Sequence, residues 1–293
     1  MEALDPHIIR LIFGYLNDRD LKNVITLNKW IHNRVCNKYF WLKRFKDKFG
    51  LSFRAVNKYK KNGTYCGYYY NILTEMGTYQ SQELLSLACR TGREDVAKIA
   101  LIRGADLSLN DHNAFKTACK YGNLAVVKLL ASEGANIHID QEEAFRWACH
   151  NGHDNIVRFL IENETDIHVY QDRSLREASA EGHYDVVKLL LNNGANIYAL
   201  GDYSLRLATY NNHLHIMELL LDRGSNAEAG LAWAIQTGNV PALKLLLRYP
   251  IDIEAIRGHL HLTEYVDINT EEIKQSLMDT ITLNLKKTLP EVQ

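Results

Sequence analysis

The stretch GHYDVVKLLLNNGANI, residues 182–197, has a near copy thirty residues before it and another thirty residues after it. Matching segments begin at Leu84, Ala114, Ala144, Ser174 and Ser204, and a shortened one begins near Gly230. Ala88, Ala118, Ala148, Ala178 and Ala208 share one phase, followed by Ala234 after only 26 residues. Four positions further on stand Gly92, Gly122, Gly152, Gly182, Asn212 and Gly238. Each unit reads as a short apolar segment ending in Ala, a turn, and a longer segment such as VVKLLL whose apolar residues fit one helix face. Glycine ends the first helix because it adopts the left-handed cap, and Gly104, Gly134, Gly194 and Gly224 end the second in the same way. The unit is therefore a helical hairpin plus a connecting loop. Isolated helices below about 12 to 15 residues are marginal in water, so these units must stack and share their apolar sides.

The alanines let paired helices approach closely, and Cys89, Cys119 and Cys149 follow them directly. Neighbouring stacked helices lie roughly 10 Å apart, too far for three such thiols to share a zinc ion. They are expected to be small core residues, with no metal and no cofactor. The five cysteines, without a CxxC or HxxxH pair, are expected to be reduced thiols. No run approaches the roughly 18 to 20 apolar residues needed to cross a bilayer, and MEALDPHIIR carries charges where a secretion signal needs an apolar stretch. The expectation is a soluble, monomeric protein of the cytoplasm, with the nucleus left open and no membrane partner. Residues 1–83 hold 14 Lys and Arg against 7 Asp and Glu, whereas residues 84–293 hold 20 against 28. That charge step predicts a domain boundary near residue 80.

The repeated text resembles the second half of an ankyrin repeat, over roughly residues 84–253. The implied fold is all-α, an ankyrin-type solenoid with units 84–113, 114–143, 144–173, 174–203, 204–229 and 230–253. This chain departs from the family in its period of 30 instead of 33, and in reading EAFR, RSLR or YSLR where the family has TPLH. The shorter connector should shrink the projecting finger. Units of this style resemble ankyrin proteins of giant viruses that infect amoebae, which would place the protein in a host cytoplasm.

The resemblance implies a concave face built from the first helices, with the two positions before the turn glycine varying most freely. Its candidate partner-binding residues are Arg90, Lys120, Tyr121, His150, Asn151, Glu181, Tyr210 and Asn211, together with Thr91, Ala180, Gln236 and Thr237. A mixed set with Tyr and Arg suits recognition of one protein surface better than a uniform polyanion. Lys116, Arg146, Arg176 and Arg206 occupy the place of the family's TPLH histidine. They are either a binding stripe or a link to loop carbonyls and to acids such as Glu142, Glu143, Asp172 and Asp202. His153, His183 and His213 correspond to histidines that brace loops in the family.

Residues 1–50 follow a different pattern. Ile8, Ile9, Ile12, Phe13 and Leu16 share one helical face, Leu21, Val24, Ile25 and Leu27 continue it, and Trp30, Ile31 and Val35 begin a third segment. With Leu4, Pro6, the YLNDRDL junction, and Trp41 followed by Arg44, this small three-helix bundle resembles an F-box. Residues 51–83 form an aromatic and basic connector in which TYCGYYYNIL resembles the segment that braces an F-box to the next domain. The resemblance implies a substrate receptor. Leu4, Pro6, Ile8, Ile9, Ile12, Leu16 and Leu21 would face a Skp-family adaptor of a cullin-RING ubiquitin ligase, and the repeats would hold an unknown target protein.

Two other readings stay open. The bundle can simply cap an ankyrin scaffold by turning its apolar side against Leu84, Leu85 and Leu87. Alternatively KRFKDKFG and NKYKKNG, within 43–61, can bind nucleic acid through alternating cations and aromatic rings, although the acidic array beside them argues against it. There is no phosphate-cradling glycine loop, no GxSxG and no metal-ligand spacing, so no catalytic residues and no enzyme are expected. Residues 254–293 are expected to hold a degenerate capping repeat and a final helix.

Overall fold

The structure, a computed structural model, describes residue 20 and residues 38–49, 56–57, 64–76, 80–252, 275 and 278–279. The seven positions expected to face an adaptor, Leu4, Pro6, Ile8, Ile9, Ile12, Leu16 and Leu21, lie outside the described residues, as do 58–61 and nearly all of 253–293. Within the described residues the fold is all-α, with no strand. None of those helices is long and apolar enough to cross a membrane.

Among the described residues two helices precede the repeats, α1 (Lys38–Phe49) and α2 (Tyr65–Met76). Their interface is aromatic: Tyr69 is fully buried, and its ring lies 5.2 Å from those of Trp41, Phe45 and Phe49. Offset and edge contacts of this kind add to the burial of the rings themselves. These rings also bear on the KRFKDKFG half of the nucleic-acid reading. Phe45 and Phe49 are the aromatic residues of KRFKDKFG, and both are core residues with no face left for a base. One buried cluster runs on from Trp41 through Leu84 to Leu246, so the apolar core continues through the charge step near residue 80. A polar strut crosses the same place. Tyr68 Oη donates to buried Asp95 at 2.6 Å, and Arg93 forms a two-pronged pair with the same carboxylate. Burial alone would push the Asp95 carboxyl up, but the bonds from Arg93 and Tyr68 outweigh it and hold the group below the usual carboxylate range.

The repeats pair a first helix with a second: α3 (Ser81–Thr91) with α4 (Glu94–Ile102), α5 (Leu109–Lys120) with α6 (Leu124–Ser132), α7 (Ile139–His150) with α8 (Asp154–Glu162). They continue as α9 (Val169–Glu181) with α10 (Tyr184–Asn192), α11 (Tyr203–Tyr210) with α12 (Leu214–Asp222), and α13 (Glu228–Gln236) with α14 (Val240–Leu246). First helices pack on first helices and second on second along the series. The phase-matched alanines Ala88, Ala118, Ala148, Ala178, Ala208 and Ala234 are all fully buried, as are Cys89, Cys119 and Cys149. Burial pushes the Cys89 thiol up to about 12 and raises the other two as well, which fits core residues and not metal ligands or nucleophiles.

The finger is not merely shortened. In its place three consecutive residues turn left-handed: Asp140, Gln141 and Glu142 at φ 50°, 53° and 61°, and Tyr170, Gln171 and Asp172 at 53°, 57° and 54°. Leu200, Gly201 and Asp202 repeat the turn, and Asn110 and His112 mark it one unit earlier. Left-handed backbone costs roughly 1–2 kcal/mol for each residue with a Cβ, so something must hold it. The third side chain of each turn accepts the backbone N–H twenty-four residues on: Glu142 from Asp166, Asp172 from Asn196 and Asp202 from Asn226. Gln82, His112 and Glu228 accept in the same way from Asp106, Asn136 and Asp252. Each connector is thus tied to the next, and Asn136, Asp166, Asn196 and Asn226 close the approach with a side-chain bond to the N–H two residues later.

The turn suggests a direct test. Gln171 is exposed and stands where the next unit has Gly201, at φ 67°. Gln171→Gly is expected to raise stability by about 0.5–1 kcal/mol, because relief of the left-handed strain exceeds the extra freedom of the unfolded chain. A lower melting temperature for this variant would remove the turn from the account of why the period is 30.

Candidate interaction face

The repeat phase fixes which side chains share a face. Residues three or four apart on a helix are neighbours, so Lys116, Thr117, Lys120 and Tyr121 line the same side of α5, and their counterparts line the other first helices. Contacts across the stack confirm the register. Lys120 Nζ sits 4.1 Å above the Trp147 ring, Trp147 meets His150 edge-on at 5.8 Å, and His150 Nδ1 lies 4.0 Å from Glu181. Further along, Tyr210 and Trp233 meet edge-on at 5.5 Å. Tyr121 and Tyr210 are each more than half exposed, at 52% and 55%.

The sequence-derived candidates therefore fall into three groups. Lys120, His150 and Glu181 belong to one chain of contacts joined by Trp147, and Tyr210 pairs separately with Trp233 further along. Arg90 and Tyr121 are exposed on the same side. Asn151 and Asn211 instead serve the fold, their amides donating to the carbonyls of Trp147 and Ala180. The two tryptophans had not been singled out from the sequence. Their signal was present: each stands three residues before a named position, His150 or Gln236, one helical turn away on the same side.

The basic ladder acts on the left-handed turns. Arg176 donates to the carbonyls of Tyr170 and Gln171 at 2.8 and 3.3 Å, and Arg206 donates to that of Leu200. Lys116 pairs with Asp140 at 2.7 Å and Glu143 at 2.9 Å. Desolvation works against the Lys116 charge, but the two carboxylates outweigh it and hold the ammonium above its ordinary range. Glu142, Asp172 and Asp202, weighed as partners for the ladder, bind backbone amides of the next connector instead. Arg146 breaks the series. Its guanidinium rests 5.1 Å from the Tyr170 ring, and it makes no hydrogen bond or ion pair among the described residues.

The turn histidines brace the stack. His153 Nε2 donates to the Lys120 carbonyl, His183 Nε2 to that of His150, and His213 Nε2 to that of Ala180, at 2.8–2.9 Å. These are orphan carbonyls at the end of the preceding first helix. Between the turns of the third to fifth units lies a hollow of about 360 Å³, bordered by His150, Tyr170, Arg173, Glu177, Ala180 and Leu207. No group of metal-ligating residues gathers among the described residues.

Comparison with known proteins agrees with this geometry. Residues 117–200 and 175–257 match the family model described as ankyrin repeats in three copies. The crystal structure of the human ASB11 ankyrin repeat domain superposes with a TM-score of 0.56 and 22% identity, covering 67% of this chain and 96% of that one. No curated protein sequence matches the chain. Residues 117–257 thus match ankyrin repeats, a protein–protein interaction module, and the described array is stacked as an all-α solenoid of that fold.

Proposed function

We propose that the protein is a substrate receptor, holding a target protein on the first-helix face and presenting it to a Skp-family adaptor of a cullin-RING ubiquitin ligase through residues 1–50. The observation that supports the first half is the set of aromatic and cationic side chains on one side of the first helices, exposed at Lys120 and Tyr210 and half-buried at Trp147, His150 and Trp233. Residues of these types anchor protein interfaces because they bury much area at low entropic cost. The second half rests on the sequence resemblance of residues 4–44 to an F-box. Such a receptor acts in the cytoplasm and performs no chemistry of its own.

The core shared by α1, α2 and the array supports a second reading, an ankyrin scaffold whose amino-terminal part is only a cap. One experiment separates them. The full-length chain and its Ile9→Asp/Leu16→Asp variant are immobilised and exposed to a purified Skp-family protein. A receptor captures the adaptor stoichiometrically, and the variant loses that capture with the melting temperature of the repeats unchanged. Absence of capture by the unaltered chain leaves the capping scaffold.

A further inference from the structure

Within the target-binding reading, we infer that the face selects an extended acidic-apolar segment of the target: a carboxylate received by Arg146, with a large apolar side chain about three residues away seated in the hollow over Ala180. The inference depends on the array being a target-binding module and not on the identity of the ligase adaptor.

Within the basic ladder the charges are matched internally, with one exception among the described residues. Lys116 is paired with Asp140 and Glu143, Arg173 with Glu177 at 2.6 Å, and Arg176 and Arg206 with turn carbonyls. Among the described residues Arg146 alone in the ladder has no hydrogen-bond acceptor, which leaves its guanidinium donors open to a ligand. Its Nε is already shielded from water, and the Tyr170 ring lies 5.1 Å from its Cζ as a cation–π neighbour. A guanidinium held in this way is prepared to bind a planar carboxylate through two parallel hydrogen bonds. The surroundings favour one carboxylate over a phosphate. Glu143, Glu177 and Glu181 stand on the same and the next first helix, and their charges oppose a dianion more strongly than a single negative charge.

The apolar position follows from a size difference. At the phase occupied by Arg90, Lys120, His150, Tyr210 and Gln236, the fourth unit alone has a small residue, Ala180. The missing side chain leaves the hollow, which reaches Tyr170 on one side and Leu207 on the other. Beyond Leu207 the face becomes aromatic at Tyr210 and Trp233. Arg146 and Ala180 are one repeat and one helical turn apart, about 12 Å by helix spacing and rise. An extended peptide covers that distance in about three residues, which sets the spacing of the two anchors.

The test uses the full-length protein and a phage-displayed library of random peptides. Enriched sequences are expected to place Asp or Glu about three residues from Leu, Met or an aromatic residue. One of them, fluorescein-labelled, is then measured by anisotropy. Ala180→Tyr, which copies Tyr210 and fills the hollow, should weaken binding at least tenfold, and Arg146→Gln about fivefold to tenfold with a shallower salt dependence. Replacing the peptide's acid by its amide should weaken binding to the unaltered protein and have little effect on Arg146→Gln. Circular dichroism melting checks that both variants fold, and capture of a Skp-family protein should be the same for all three. Enrichment without carboxylates, no enrichment at all, preference for a phosphorylated peptide, or unchanged binding by Ala180→Tyr would each overturn the inference. Loss of adaptor capture with peptide binding intact would count only against the receptor reading.

Discussion

Gly152→Ala is expected to destabilise the array by about 2–4 kcal/mol and to lower its melting temperature by roughly 5 to 15 °C. Two costs add. Gly152 has φ 73°, which a residue with a Cβ adopts only under strain, and an added Cβ would stand 2.5 Å from His183 Nδ1. The ring must then move, which breaks its 2.8 Å bond to the His150 carbonyl and leaves the end of α7 unsatisfied. The chain supplies its own control. Where the glycine is replaced by Asn212, at φ 60°, the next unit has Asn239 in place of the histidine, and that amide donates to Asn212 at 3.0 Å. Gly152→Asn combined with His183→Asn should therefore be more stable than Gly152→Asn alone. A cost below 1 kcal/mol for Gly152→Ala, or no recovery in the pair, would show that the histidine brace contributes little.

The other large effect is expected at Phe145, which is 1% exposed at the phase of Phe115, Leu175 and Leu205. Removing a buried phenylalanine costs about 3–5 kcal/mol. In a solenoid each unit touches only its neighbours, so a defect in the third unit weakens two interfaces and little else. Phe145→Ala is expected to divide unfolding into two steps. Hydrogen exchange should lose protection first across residues 114–173 and later across 204–246. The interaction face spans the same junction, from Lys120 over Trp147 to Glu181, so peptide binding should fall with the first step. A single transition displaced by less than 1 kcal/mol would mean that the array does not transmit stability through nearest neighbours.

The thirty-residue spacing of the alanines, cysteines and turn glycines sufficed to predict paired helices, their stacking and the buried thiols, because each depends on a side chain's phase and its size. The same phase placed Lys120, His150 and Tyr210 on one face. It also holds Trp147 and Trp233, which stand one helical turn before the two positions preceding the glycine. What periodicity could not express was backbone handedness. Asp140 to Glu142 and Tyr170 to Asp172 are ordinary residues, and only bonds arriving from the neighbouring connector twenty-four residues away make their left-handed turn affordable. The roles of the ladder cations were equally hidden. Lys116, Arg176 and Arg206 share a phase with Arg146, but which of them finds an acceptor depends on where the turn carbonyls and carboxylates come to rest. Chain order thus determined the fold and which side chains share the proposed interaction face, since both follow from local periodicity. Tertiary packing decided which charge on that side remains available, since pairing is settled by distances between units that no single unit contains.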